Sequence, residues 1–150
     1  MLTYFLTGLP VIVACLLLQS LFVSYALRYY VSFRAKHAHS KSTFADMWML
    51  TMVMLLTLLG NGVQVSIWAA LFMFLGEFDN FPAAVYHSWV NYVTLGYGDV
   101  VMSERWRPLG PLEAANGILM FGVSTSVMTA AVFDVIKTKR GESGGAGAKP

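Results

Sequence analysis

The sequence predicts an all-α membrane protein: three transmembrane helices, with a short re-entrant helix and loop between the second and third. Three observations lead there. Only 12% of the 150 residues are charged, whereas 57% are hydrophobic; a soluble domain carries roughly 25% charged residues. The charges also cluster. Leu2 to Leu27, Met47 to Gly76 and Ala114 to Phe133 are uncharged over 26, 30 and 20 residues, and about 20 helical residues cross a hydrocarbon core ~30 Å thick. Finally, a stretch at 82–93 is too short to span, and glycines follow it at once. Non-helical backbone at membrane depth is tolerated only where protein buries it or water lines it.

The first span, 1–28, carries Pro10, which membrane helices tolerate. No basic residue precedes its apolar run, as a signal peptide would require, so the helix is expected to be retained. It lacks the repeated arginines of a voltage sensor. Cys15 is the only cysteine, which excludes an intramolecular disulfide; a buried apolar thiol is expected.

Residues 29–46 read as a basic loop containing Arg34, Lys36 and Lys41. His37 and His39 there suit either a solvated face or a pH-sensitive one. Eight of the ten basic residues fall in or beside this loop and after the third span. The positive-inside rule then puts loop and tail in the cytoplasm and the N-terminus outside, in a multi-pass protein of the cell membrane.

The second span, 47–76, holds Asn61 and Gln64, whose amides should face other helices rather than lipid. Pro82 suits the first turn of the short helix 82–93. The third span, 111–136, begins at Pro111, and Glu113 in its first turn suits the positive end of the helix dipole. Gly117 and Gly122 serve either close packing or a hinge. Asp134 and Lys137 are spaced for an ordinary helix-surface pair. The Gly-rich tail, 137–150, is expected to be disordered.

Phosphate-cradling loops, HExxH, cysteine clusters and nucleophile elbows are all missing from the sequence. An enzyme is not expected, nor a cofactor, nor a nucleic-acid partner.

Thr94-Leu95-Gly96-Tyr97-Gly98-Asp99, set between a short helix and a final span, resembles the signature of the tetrameric potassium-channel pore-domain family. The stretch Leu109 to Val123 is also similar to small bacterial ion-channel proteins with one extra N-terminal span. The resemblance covers roughly 47–136 and implies a pore domain with an outer helix (47–76), a pore helix (82–93), a selectivity filter (94–99) and an inner helix (111–136). It implies a C4 homotetramer in the lipid bilayer, because one chain cannot enclose the axis. It further implies that the carbonyls of Thr94, Leu95, Gly96 and Tyr97 replace the hydration shell of K+, the permeant ion and only metal expected. Gly96 and Gly98 permit the alternating dihedrals this requires. The Tyr97 side chain would brace the filter, and Leu95, where the family usually has valine, would face backward.

Other departures concern the filter's support. Tyr86 and His87 stand where the family commonly has two tryptophans. Val90 stands where some prokaryotic members have a glutamate bonded to the residue matching Asp99. Asp99 is therefore expected to be held by Tyr86 or His87. Glu77, Asp79, Asp99 and Glu104 would ring the outer mouth. Met128 and Phe133 are candidates for an inner apolar gate. The first helix is a candidate contact for lipid or a regulatory partner. A weakly selective cation channel and a non-conducting accessory subunit are the rival readings.

Overall fold

The computed structural model describes residues 2–36 and 43–145. Among them the chain forms four α-helices and no strand: α1 (Leu2–Lys36), α2 (Thr43–Phe74), α3 (Phe81–Tyr92) and α4 (Leu109–Gly145). Three are long and apolar enough to cross a membrane, over Leu2–Lys36, Thr43–Phe74 and Leu109–Lys139. This is an all-α membrane protein.

The helices outrun the lengths expected from hydropathy. The basic loop expected at 29–46 is helical over 29–36 and again from Thr43. Arg34 and Lys36 fill the last turn of α1 and Asp46 the first turn of α2, each complementing its end of the helix dipole. His37, His39 and Lys41 lie outside the described residues. The tail expected to be disordered from 137 instead continues α4 to Gly145. Its first turn is fastened: Lys139 pairs with Asp46 at 3.0 Å, and Thr138 Oγ1 donates to the Asp134 carbonyl at 2.9 Å. Residues 146–150, Lys149 included, lie outside the described part.

Local chemistry sets the turns around α3. Gly76 at φ 75° ends α2. The N–H of Glu77 reaches the Phe72 carbonyl and that of Gly76 the Met73 carbonyl, both at 3.0 Å, a glycine-terminated helix end. Asn80 caps α3, its Oδ1 accepting from Ala83 N–H at 2.9 Å, and Pro82 follows in the first turn.

Helix α2 is the spine, packed against all three others, whereas α1 and α3 lie apart and each rests on α2 and α4. The core sits behind α3, where Trp68, Phe72, Tyr92, Leu109 and Met120 are fully buried. There α4 meets the end of α3 so closely that a Cβ on Gly117 would lie 2.0 Å from the Tyr92 carbonyl oxygen. That approach accounts for Gly117 by packing. Gly122 has open space around it and remains the candidate hinge.

Candidate functional site

The segment 94–99 leaves the end of α3 in a conformation written by its backbone. Thr94, Gly96 and Gly98 have positive φ, at 60°, 60° and 74°, and the residues between them do not. Glycine takes such a φ without a Cβ clash, whereas Thr94 is held there by its surroundings. The holding contacts run backward into α3. Val93 N–H donates to the Trp89 carbonyl, Thr94 N–H to Asn91 and Leu95 N–H to Val90, at 3.1, 2.8 and 2.9 Å; Gly96 N–H also approaches Val90 O at 3.4 Å. These bonds cap the C-terminal carbonyls of α3. Among the described residues, no backbone N–H donates to the carbonyls of Thr94, Leu95, Gly96 or Tyr97. The whole segment is exposed in the single chain, with Leu95 and Tyr97 at 55% and 67%.

Beyond the loop, the chain is pinned at several points. Tyr86 Oη donates to Asp99 Oδ2 at 2.6 Å, and Asp99 Oδ1 accepts from Val100 N–H at 3.0 Å. The Tyr86 hydroxyl and the backbone donors hold the Asp99 carboxyl below its ordinary 3.8. His87 turns elsewhere. Its Nδ1–H donates to the Val100 carbonyl and its Nε2 accepts from Asn91 Nδ2, both at 2.8 Å. Phe72 and Phe78 flank the ring, with centroids at 5.6 and 5.0 Å, and burial pushes the imidazole below 6.5. The two bonds suit a neutral ring. Val90 is buried and offers the segment only its carbonyl. A hollow of about 380 Å³ behind the segment is lined by His87, Asn91, Thr94, Gly96, Arg107 and Ala114, among others.

Residues 62–134 match the family model described as ion channel. That stretch is similar to ion-channel domains. No curated protein and no solved structure matches it. The matched residues take in α3, the 94–99 segment and most of the apolar part of α4, and leave α1 outside.

Several polar residues of the matched stretch stand differently from the sequence expectation. Glu113 is not a dipole-facing residue of a first turn. The helix starts two residues earlier, at Leu109, and Glu113 is fully buried. Its carboxyl faces Ser88 and Asn91 of α3, but neither oxygen completes a hydrogen bond of normal geometry. Asn116 on the next turn and the Ser88 hydroxyl are likewise buried without a partner. The signal was available, as a lone carboxylate followed by twenty uncharged residues. Asp134 pairs not with Lys137 but across to α1, with Arg34 at 3.3 Å and with the Tyr30 hydroxyl, which donates at 2.6 Å. The expected ring of acids at the outer mouth is partly engaged. Glu77 accepts from the Ser103 N–H and hydroxyl at 2.6 and 2.7 Å, and Asp99 is tied to Tyr86. Met128 and Phe133 line a groove of about 680 Å³ between α2 and α4, open in the single chain.

Proposed function

We propose that four copies of this chain assemble around a common axis in the cell membrane into a passive, potassium-selective channel, with residues 94–98 as its filter. The observation that carries the reading is the alternation of positive φ at Thr94, Gly96 and Gly98 in a segment whose first N–H groups, from Thr94 to Gly96, point back into α3. Such a segment frees successive carbonyls to replace the water around a dehydrated cation. The exposure of that segment supports assembly. Irregular backbone at membrane depth needs protein around it or a water-filled lumen beside it, and one chain supplies neither on the exposed side. Further copies would enclose the ion path and cover the bare Tyr97 and Leu95 side chains.

In this reading the Thr94 hydroxyl completes the innermost ion site, and the Tyr86–Asp99 bond fastens the outer end of the filter. Met128 and Phe133 narrow the inner half, Gly122 lets α4 bend, and the N-terminus lies outside with the C-terminus in the cytoplasm. No cofactor or enzymatic step is required, since the ion moves down its gradient.

The test is the reversal potential of the purified full chain in a planar bilayer, with potassium on one side and sodium on the other. A value near the potassium equilibrium potential is expected. A value near zero would mean an unselective cation pore, and silence at every voltage would mean an accessory subunit.

A further inference from the structure

Helix α1 lies outside the residues that match the ion-channel family, yet it reaches the pore elements through a buried amide. Gln19 is 2% exposed. Its Oε1 accepts from Gln64 Nε2 of α2 at 2.6 Å, and its Nε2 donates to Ser124 Oγ of α4 at 3.1 Å. Gln64 Oε1 in turn accepts from the Tyr92 hydroxyl at 3.0 Å. Tyr92 is the last residue of α3, two before Thr94. Ser124 Oγ also donates to the Met120 carbonyl at 2.9 Å. The two ends of one side-chain amide are thus taken by two branches, one leading to the base of the filter segment and the other to α4.

An unpartnered amide in the hydrocarbon region is costly, and a helix serving only as an anchor has no need of one. The rest of the buried face of α1 is small: Gly8, Cys15 and Ala26. Four and eight residues beyond Ala26, Tyr30 and Arg34 reach Asp134 of α4. The first helix therefore grips α4 at Ser124 and again at Asp134, on either side of Met128 and Phe133. Its hydrogen-bonded route to α3 runs through Gln64.

We propose that Gln19 is a positioning residue for the pore, tying the filter-bearing α3 to α4 so that the first helix sets the placement of filter against inner helix. This rests on the conduction reading above. It gives the first helix a part in gating.

The test is single-channel recording of the full-chain protein in bilayers, wild type against Gln19→Leu and Tyr92→Phe. The first variant strips Gln64 and Ser124 of a partner; the second removes one hydroxyl and keeps the ring. Each is expected to change the ratio of conducting to non-conducting time about three- to tenfold, the worth of one such hydrogen bond. The double variant is expected to change it no more than the larger single one, since both cut the same chain of bonds. Wild-type gating in both variants, with only a lowered unfolding temperature, would make Gln19 a packing residue and overturn the proposal. Should Gln19→Leu fail to assemble on a sizing column, Tyr92→Phe alone decides. A silent wild type overturns the conduction reading and this proposal together, whereas a conducting wild type with unaltered variants overturns only the latter.

Discussion

Two groups of polar side chains, all buried save the half-buried Ser124, lie behind the candidate filter, and they are bonded very differently. In the first, Gln19, Gln64, Tyr92 and Ser124 join in an unbroken run from α1 through α2 to α3 and α4. Asn61 hangs on its edge, with Nδ2 3.5 Å from Ser124 Oγ and its Oδ1 unpaired. In the second, Glu113, Asn116, Ser88 and the Trp68 indole N–H are equally buried, and none completes a hydrogen bond. Cys15 lies against Asn116 and Trp68, so this cluster too draws on all four helices. Low polarizability strengthens a completed network and penalises an incomplete one. The first group therefore fixes relative position, whereas in the second removing polarity is cheap.

The largest expected effect lies where the two groups are pressed together. Gly117→Ala puts a methyl 2.0 Å from the Tyr92 carbonyl, and overpacking of this kind costs about 1–3 kcal/mol or more. A clear fall in thermal unfolding midpoint in detergent, with loss of assembled protein, is expected. Tolerance of alanine would show that α4 bends away freely at Gly117, which restores the hinge.

Next comes a direct contrast of the groups. Gln64→Leu breaks two bonds of the satisfied network and should cost about 1 kcal/mol. Glu113→Gln replaces an unpartnered buried carboxyl with a neutral isostere and should cost nothing or stabilise. Unfolding midpoints of the two variants, measured side by side, check this. Equal losses would erase the distinction.

Acidification sharpens the comparison from the side of the 94–99 segment. Burial lowers the His87 pKa below 6.5, so the fold favours the neutral ring. Its stabilisation is complete above 6.5 and is lost progressively as pH falls from there toward the lowered folded value. The groups whose charges act on it are Glu77 and Asp99. Asp99, held below 3.8, stays ionised between pH 8 and 5. Currents are therefore expected to hold steady from pH 8 to 7 and to decay faster at pH 5, and His87→Gln should abolish the difference. Equal acid sensitivity in that variant would point away from His87.

The smallest effect belongs to the Lys139–Asp46 pair at the end of the bundle where α2 begins, at 48% and 20% exposure. Such pairs contribute roughly 0–1 kcal/mol. Lys139→Ala should shift the unfolding midpoint only slightly, and less in high salt. A shift rivalling that of Gln64→Leu would move the attachment of α4 from the membrane interior to its surface.

Hydropathy was enough to read the three spans and the short helix between them, because an uncharged run or a proline at a first turn acts through its own chain neighbours. The helix ends at 29–46 and after 137 were misjudged because charged residues stop a membrane span without stopping a helix; Arg34 and Lys139 find carboxylates on other helices. Asp134 illustrates the same limit, its nearest cation along the chain being passed over for one on α1. Gln19 was legible in principle, as a lone amide within 26 uncharged residues. Its partners on two other helices were not.

By itself the sequence determined that the chain is an all-helical membrane protein and that Gly96 and Gly98 are free to take positive φ, since apolar length and a missing Cβ are properties of the residues alone. Only the tertiary structure decided that Thr94 shares that conformation, that Gly117 is a point of contact, that Glu113 is sealed without a partner and that Gln19 links Tyr92, through Gln64, to α4. Each depends on which helix lies across from the residue, and no pattern local to the chain encodes its opposite neighbour.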